Sequence, residues 1–427
     1  MTPNDETKTL DLGDELLIDA EDLPPAPPAQ AAMSPLARLL LGISLVLIAL
    51  NLRPLFSSAS ALLPEIRTEL GLSAAGASLL TTVPVACLGV FSPLAPRLAA
   101  RFGAERTLLV AVALLALGTA LRGFQSVPLL FVGTALAGAC IAIGNVLLPG
   151  LVKRDFPDKA ALMTGFYTMA LCAGAAGAAG LTLPIETALG GSLGATLAIW
   201  AIPAALVGLL WLPQALGSRG KPAKTTYRVE GLWRDRLAWQ VTLFMGLQSA
   251  LAYCVFGWLA PIIRDRGIDG VTAGAIVSLS VMVQAASCII SPQIAVRGKD
   301  QRLVHVSLAA IAVIGLLGLL FAPLWTVWPF AILQGIGQGG LVAVALTAVV
   351  LRSPDQHVAA HLSGMAQFVG YTLAAIAPLL VGLIRDWTGS FAATSVVFVA
   401  FGLGAAINGW GAGRALHVNV RTVENDT

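Results

Sequence analysis

Charge is what this chain has least of. Of its 427 residues only 11% are Asp, Glu, Lys or Arg, 57% are hydrophobic, and the mean hydropathy is +0.82. A soluble domain carries about 25% charged residues, so the composition excludes a large soluble core and indicates a polytopic membrane protein. Histidine is also scarce. The four (His305, His357, His361, His417) stand at loop borders, and only His357 and His361 are spaced i, i+4, with no acidic third ligand, so no metal site is expected. The five cysteines (Cys87, Cys140, Cys172, Cys254, Cys288) fall singly in apolar runs, without pairing or ligand spacing, and are expected to be reduced packing residues. The apolar runs contain neither a paired nucleophile and base nor a His/Asp/Glu cluster, so no enzyme and no cofactor is expected. No nucleic-acid partner and no signalling role are expected either. Residues 1–35 begin acidic and turn Pro-rich, with no basic region leading into a cleavage site. A disordered cytoplasmic tail is expected there, not a signal peptide.

What the chain has instead is apolar length. A membrane-spanning helix needs about 20 apolar residues. Breaking the chain at charge clusters and Gly/Pro turns gives twelve spans: 36–64, 75–98, 105–123, 127–151, 160–185, 191–213, 238–263, 271–296, 302–322, 325–351, 358–384 and 389–412. The connections after even-numbered spans, with the two tails, hold all but six of the 26 Lys and Arg residues. Those six are Arg53, inside an apolar run, and Arg67, Arg122, Arg264, Arg266 and Arg385, read as charges of the odd-numbered connections. Basic residues favour the cytoplasmic side, so both termini are expected there. The expected organisation is an N-terminal six-helix bundle (36–213), a basic cytoplasmic linker (214–237), a C-terminal six-helix bundle (238–412) and a cytoplasmic tail (413–427).

The two halves repeat each other in order. LLPEIRTELGLS around Pro64 aligns with LAPIIRDRGID around Pro261 at an offset of 197, an Ile and an Arg following each proline at equal spacing. Ser92-Pro93 aligns with Ser291-Pro292, Pro157-Asp158 with Pro354-Asp355, and Gly165 with Gly364. Each match alone is chance-level; four in sequence order at offsets of 197 to 199 imply parallel pseudo-symmetry between the halves. A solute site then belongs at their interface, near the midplane.

One charge lies where lipid would be. Arg53 sits inside LGISLVLIALNLRPLFSSASALLP, and a guanidinium at the centre of a lipid-embedded helix costs about 2.5–3.5 kcal/mol even on a lenient insertion scale. No Asp or Glu shares the run, so carbonyls, polar side chains, a water-filled cavity or an anionic ligand must offset that cost. The alternative is snorkelling to the outer interface, opposed by the apolar and small residues that separate Arg53 from Glu65. Pro54 frees a carbonyl one turn back and permits a kink, and Ser57 is placed to bond the guanidinium. The repeat equivalent of Arg53 falls near Ala250, so the repeat itself does not require the charge.

Side-chain amides mark the inward-facing helices, because they are costly in lipid. Asn51, Asn145, Gln248, Gln284, Gln334, Gln338 and Gln367 fall on spans 1, 4, 7, 8, 10 and 11. Spans 3, 6 and 9 have none, and Asn408 on span 12 is an exception. Spans 1, 4, 7 and 10 are therefore read as cavity-lining, flanked by 5, 8 and 11, with 3, 6, 9 and 12 toward lipid. Tyr167, Tyr253, Trp258 and Tyr371 are candidate aromatic walls, with packing or interface anchoring as the alternative for each. The candidate solute-binding set is Arg53, Asn51, Asn145, Tyr167, Gln248, Tyr253, Trp258, Gln338, Gln367 and Tyr371. Glycines 174, 177, 180, 335 and 339 are read as close helix packing. Glu65, Glu186 and His361 look interfacial, which leaves a coupling proton open.

Four segments resemble the cyanate and 2-nitroimidazole permease branch of the major facilitator superfamily: NLRPLFSSASALLPEIRTELGLS, LLTTVPVACLGVFSPLAPRLAARFGAER, IAIGNVLLPGLVKRDFP and LSGMAQFVGYTLAAIAPLLVGLIRDWTG. The resemblance covers nearly the whole membrane region. It implies an all-α membrane protein with twelve transmembrane helices in two pseudo-symmetric six-helix bundles, working by alternating access as a monomer. It further implies a small anion or compact nitro-heterocycle as solute, with Asn51, Arg53, Pro54 and Asn145 similar to the family's site residues. The loop from Arg97 to Arg106 resembles the superfamily's cytoplasmic gate motif, whose Arg97, Arg101, Gly103 and Arg106 are present. The acidic residue that usually precedes the first arginine after the helix is replaced by Ala100. Span 7 also departs, reading GWLAPII where WLP is more frequent. The expected function is a secondary active or facilitative transporter of a small anionic or strongly polar solute in the bacterial cytoplasmic membrane. A drug-type exporter of lipophilic compounds is the rival, disfavoured by the lack of an intramembrane Asp or Glu.

Overall fold

The computed structural model describes residues 35–156, 159–217, 227–354 and 356–424, so the acidic tail and part of the basic linker lie outside the described residues. The chain divides into a short unit, Met1–Leu40, and a large one, Leu41–Thr427. Only the start of the helix that opens at Pro35 is described in the first. Among the described residues, twelve helical spans are long and apolar enough to cross a membrane: Leu36–Ala61, Ala74–Phe91, Ala104–Leu121, Val127–Asp155, Leu162–Ala188, Leu193–Gly217, Arg236–Asp265, Gly270–Ala295, Arg302–Phe321, Leu324–Leu351, Val358–Thr388 and Ala392–Ala412. Side-chain caps fix several starts, as Ser73 accepts from Gly76 N, Asp235 from Ala238 N and Asp269 from Thr272 N.

Prolines interrupt three spans. Pro54, Pro203 and Pro378 lack the N–H that would bond the carbonyls of Leu50, Ile199 and Ala374, and the helices end at Asn51, Ile199 and Ala374. Only the first break is expected from the sequence. Span 1 is correspondingly three helices, Pro35–Asn51, Pro54–Ala61 and Leu63–Leu70, instead of one continuous run to residue 64. The chain also departs from all-helical structure once among the described residues. Tyr227–Glu230 at the end of the linker pairs antiparallel with Arg421–Glu424 of the tail, Tyr227 opposite Glu424. Two four-residue segments so far apart carry no hairpin signal.

Spans 3, 6, 9 and 12 pack mainly within their own halves, whereas the halves meet through spans 1 and 7, 2 and 11, and 5 and 8. Span 2 is the interface helix that amides do not reveal. Its Gly89 lies against Phe368 and Thr372, a contact made by small residues. Of the five glycines read as packing positions, 174, 335 and 339 abut neighbouring backbone, while 177 and 180 have room for a methyl group.

Cross-half hydrogen bonds gather at the end bearing the odd-numbered connections. Arg264 of span 7 donates to both Glu65 oxygens, at 2.9 and 2.6 Å, and to Ala61 O at 3.1 Å. Asp386 of span 11 accepts from the N–H groups of Ala74 and Ala75 at 2.7 Å each, capping span 2 from the other half. Breaking this latch with Glu65→Gln is expected to raise the population open at this end roughly tenfold, about 1.4 kcal/mol. Spin-label distances between the 1/2 and 7/8 connections would measure it, and unchanged distributions would contradict it.

At the even-numbered end the gate-motif residues behave differently. Arg97 and Arg101 are exposed, with Arg101 over the Phe102 ring at 5.2 Å, and Arg106 donates to Ala215 O at 3.4 Å. Gly103 takes φ +89, a conformation that favours glycine, between the helices of spans 2 and 3. The acid that orders this loop is Glu105, buried and paired with Arg154 of span 4 at 2.6 Å, an ion pair within the N-terminal half.

Candidate functional site

The proline break determines where Arg53 points. As the N-cap of Pro54–Ala61, with φ −112 and ψ −25, Arg53 leaves the line of the preceding helix. Its side chain reaches span 7, where Nη1 donates to Tyr253 Oη at 3.2 Å. The guanidinium carbon stands 5.8 Å from the Tyr253 ring centre and 5.5 Å from that of Phe256. Tyr371 meets Tyr253 edge-on at 6.1 Å, Phe56 packs on Tyr253 at 5.5 Å, and Tyr167 lies within electrostatic reach of the charge.

No carboxylate pairs with Arg53 among the described ion pairs. Its other N–H groups make no hydrogen bond with described residues, yet are not occluded. A charged donor to a hydroxyl contributes about 1.5–3 kcal/mol and a cation over an aromatic face about 0.5–2 kcal/mol. The surroundings therefore hold the guanidinium without neutralising it, leaving a fork of donors for an acceptor with negative charge.

The other candidates divide. Asn51 is buried and its amide donates to Leu47 O at 2.9 Å, bonding its own helix just before the break. Asn145 is half-buried without a hydrogen bond among the described residues, and follows Gly144, which packs on Leu52 of the break. Gln248 and Gln338 are fully buried and face each other: Gln338 Nε2 donates to Gln248 O at 3.1 Å, and Gln248 Nε2 to Ser249 Oγ at 2.9 Å. Gln367 donates to Ser363 on its own helix. Trp258 is not with the other aromatics. It donates to Pro378 O at 2.9 Å and lines a cavity at the odd-numbered end. Ser57 does not bond Arg53; its buried hydroxyl lacks a partner, because Arg53 caps the helix and its side chain does not follow that helix face.

Several neighbours escaped the sequence reading. Phe56 and Phe256 each stand three residues after a recognised site residue, so helical spacing from Arg53 and Tyr253 was the available signal. Cys172 and Cys288, read as packing residues, lie within electrostatic reach of Arg53. Arg122, counted as a loop charge, is 2% exposed and donates to Leu55 O at 3.3 Å, holding span 1 just beyond the break. Tyr253→Phe is expected to weaken solute recognition about tenfold by freeing Arg53 from its anchor. A KM for solute entry unchanged from wild type would contradict that.

Twelve membrane-length helices, whose halves meet around a cation with no carboxylate partner among the described residues, define a membrane transporter architecture. Residues 39–378 match the Major Facilitator Superfamily, and the chain belongs to that family. It is 39% identical over 379 residues to the 2-nitroimidazole transporter of Escherichia coli (strain K12), covering 88% of this chain and 96% of that one. It is 28% identical over 348 residues to the cyanate transport protein CynX of the same organism, covering 81% and 90%. Among solved structures it is similar to a bacterial homologue of the human lysosomal transporter Spinster, with a TM-score of 0.70 at 16% identity, covering 89% of this chain and 97% of that one. The protein is an integral membrane transporter of this family.

Proposed function

We propose that the protein moves a small anionic or strongly dipolar solute, of cyanate or nitroimidazole size, across the bacterial cytoplasmic membrane by alternating access. The observation that carries this reading is Arg53, a half-buried guanidinium with no paired carboxylate and with unengaged donors among the described residues. The names of the relatives, for 2-nitroimidazole and cyanate, agree with it. A solute on Arg53 meets both halves at once, because Arg53 and Phe56 belong to span 1 while Tyr253 and Phe256 belong to span 7. Binding energy at this seam bears directly on the rocking of one half against the other. With the termini in the cytoplasm, the latched end is the outer one.

Uptake of radiolabelled cyanate and 2-nitroimidazole into proteoliposomes, with and without an imposed pH gradient, tests the reading. Saturable uptake of either supports it, and a response to the gradient identifies proton coupling. Absence of uptake of both by correctly inserted protein would overturn the solute class.

A further inference from the structure

The odd-numbered end holds a cavity of ≈ 290 Å³ to which both halves contribute. Arg67 and Arg264 line it together, and these are repeat equivalents, each three residues after its proline, Pro64 or Pro261. Pseudo-symmetry thus brings two arginines to one place, and Arg385 adds a third.

The nearby acids engage two of these same arginines or backbone, and Glu186 also lies within electrostatic reach of Arg264. Glu65 accepts from both terminal nitrogens of Arg264, and Asp265 accepts from Arg385 at 2.7 Å. Asp386 lies within electrostatic reach of Arg67, but its two oxygens accept from the backbone of Ala74 and Ala75. Arg67 has no carboxylate in a described ion pair, and its Nε is occluded without a hydrogen-bond partner. The Arg385 guanidinium stands 4.7 Å from the Phe391 ring centre, and Trp258 forms another wall.

Three guanidinium groups, of which Arg67 alone lacks a carboxylate in a described ion pair, share the cavity with Trp258 and Phe391, and Asp265 is the one carboxylate in its lining. This suits a small, weakly hydrated anion, linear or planar, with a polarisable body against the rings and charge toward the arginines. The volume is ample, since a water molecule occupies about 30 Å³.

We propose that this cavity is a second anion-binding site, distinct from the one at Arg53, that takes the same class of anion at the closed face. In the solute class it rests on the reading above; in its residues it does not, since among the described residues Arg53 bonds Tyr253 and faces Phe256, whereas Arg264 and Arg385 pair with Glu65 and Asp265. An anion here competes with Glu65 for Arg264, so occupancy loosens the latch that closes this end.

The test is a thermal-stability titration of the full chain in detergent, with thiocyanate replacing gluconate at constant ionic strength, for wild type, Arg53→Gln, Arg67→Gln and Arg385→Gln. Arg264 is left intact because it carries the latch. The expected result is a saturable shift that persists in Arg53→Gln and whose midpoint moves about tenfold higher in Arg67→Gln and Arg385→Gln. A shift abolished by Arg53→Gln and unchanged in the other two variants would overturn this site while leaving the Arg53 reading intact. A wild type without any saturable shift would overturn both.

Discussion

Gly174→Val is expected to yield no stably folded protein, and Gly174→Ala to fold with a markedly lower melting temperature. Pro54 lacks an N–H, so the carbonyl of Leu50 is left without its helical partner. Span 5 comes up against that carbonyl at Gly174, where any Cβ would overlap the Leu50 oxygen. The obstacle is backbone, so no side chain can rotate away. Overpacking in a well-packed interior costs about 1–3 kcal/mol, and a collision with main chain belongs at the upper end of that range. Gly177, one turn along the same helix, has room around it, and Gly177→Ala is expected within about 0.5 kcal/mol of wild type. Thermal unfolding of the two alanine variants in detergent separates the cases. Equal stabilities would mean that the close approach of spans 1 and 5 is not what makes position 174 a glycine.

Arg53→Lys is expected to reduce solute entry to near background although the charge is kept. An ammonium is a compact, strongly hydrated point charge on a flexible stem, whereas the guanidinium presents a planar fork that stacks between rings and offers paired donors. The substitution loses the bond to Tyr253, the stacking on Phe256 and the bidentate approach to an anion. Together these are about 2–3 kcal/mol, a 30- to 150-fold loss in the specificity of entry. Initial rates at matched reconstitution density measure it. Wild-type rates in Arg53→Lys would reduce the role of this residue to charge alone, and wild-type rates in Arg53→Ala would remove it.

The fold was legible because the twelve spans are long and apolar and the repeat offsets are constant. Arg53 stood out because charge is otherwise missing from its run, and its break followed from Pro54. Side-chain destinations were harder. Gln248 and Gln338 obey the rule that buried amides face inward, but the rule does not say toward what: Gln338 Nε2 donates to Gln248 across spans 7 and 10, while Gln338 Oε1 is buried without a partner among the described residues. Trp258 stands five residues after Tyr253, more than one helical turn on, which carries it to the odd-numbered end. Span 2 went unnoticed because small residues make its contact with span 11, and small residues read as lipid-compatible as easily as interfacial. Arg122 reads as a loop charge because it ends its helix; only the fold reveals that this end is covered.

The proposed solute position is the Arg53 guanidinium. The most direct measurement is a structure determined in the presence of selenocyanate, a heavy-atom analogue of cyanate, with the selenium located by anomalous scattering. A peak is expected within contact distance of Arg53, beside the rings of Tyr253 and Phe256, and is expected to disappear in Arg53→Gln crystals. Selenium absent from that position in wild type, at concentrations that inhibit transport, would contradict it.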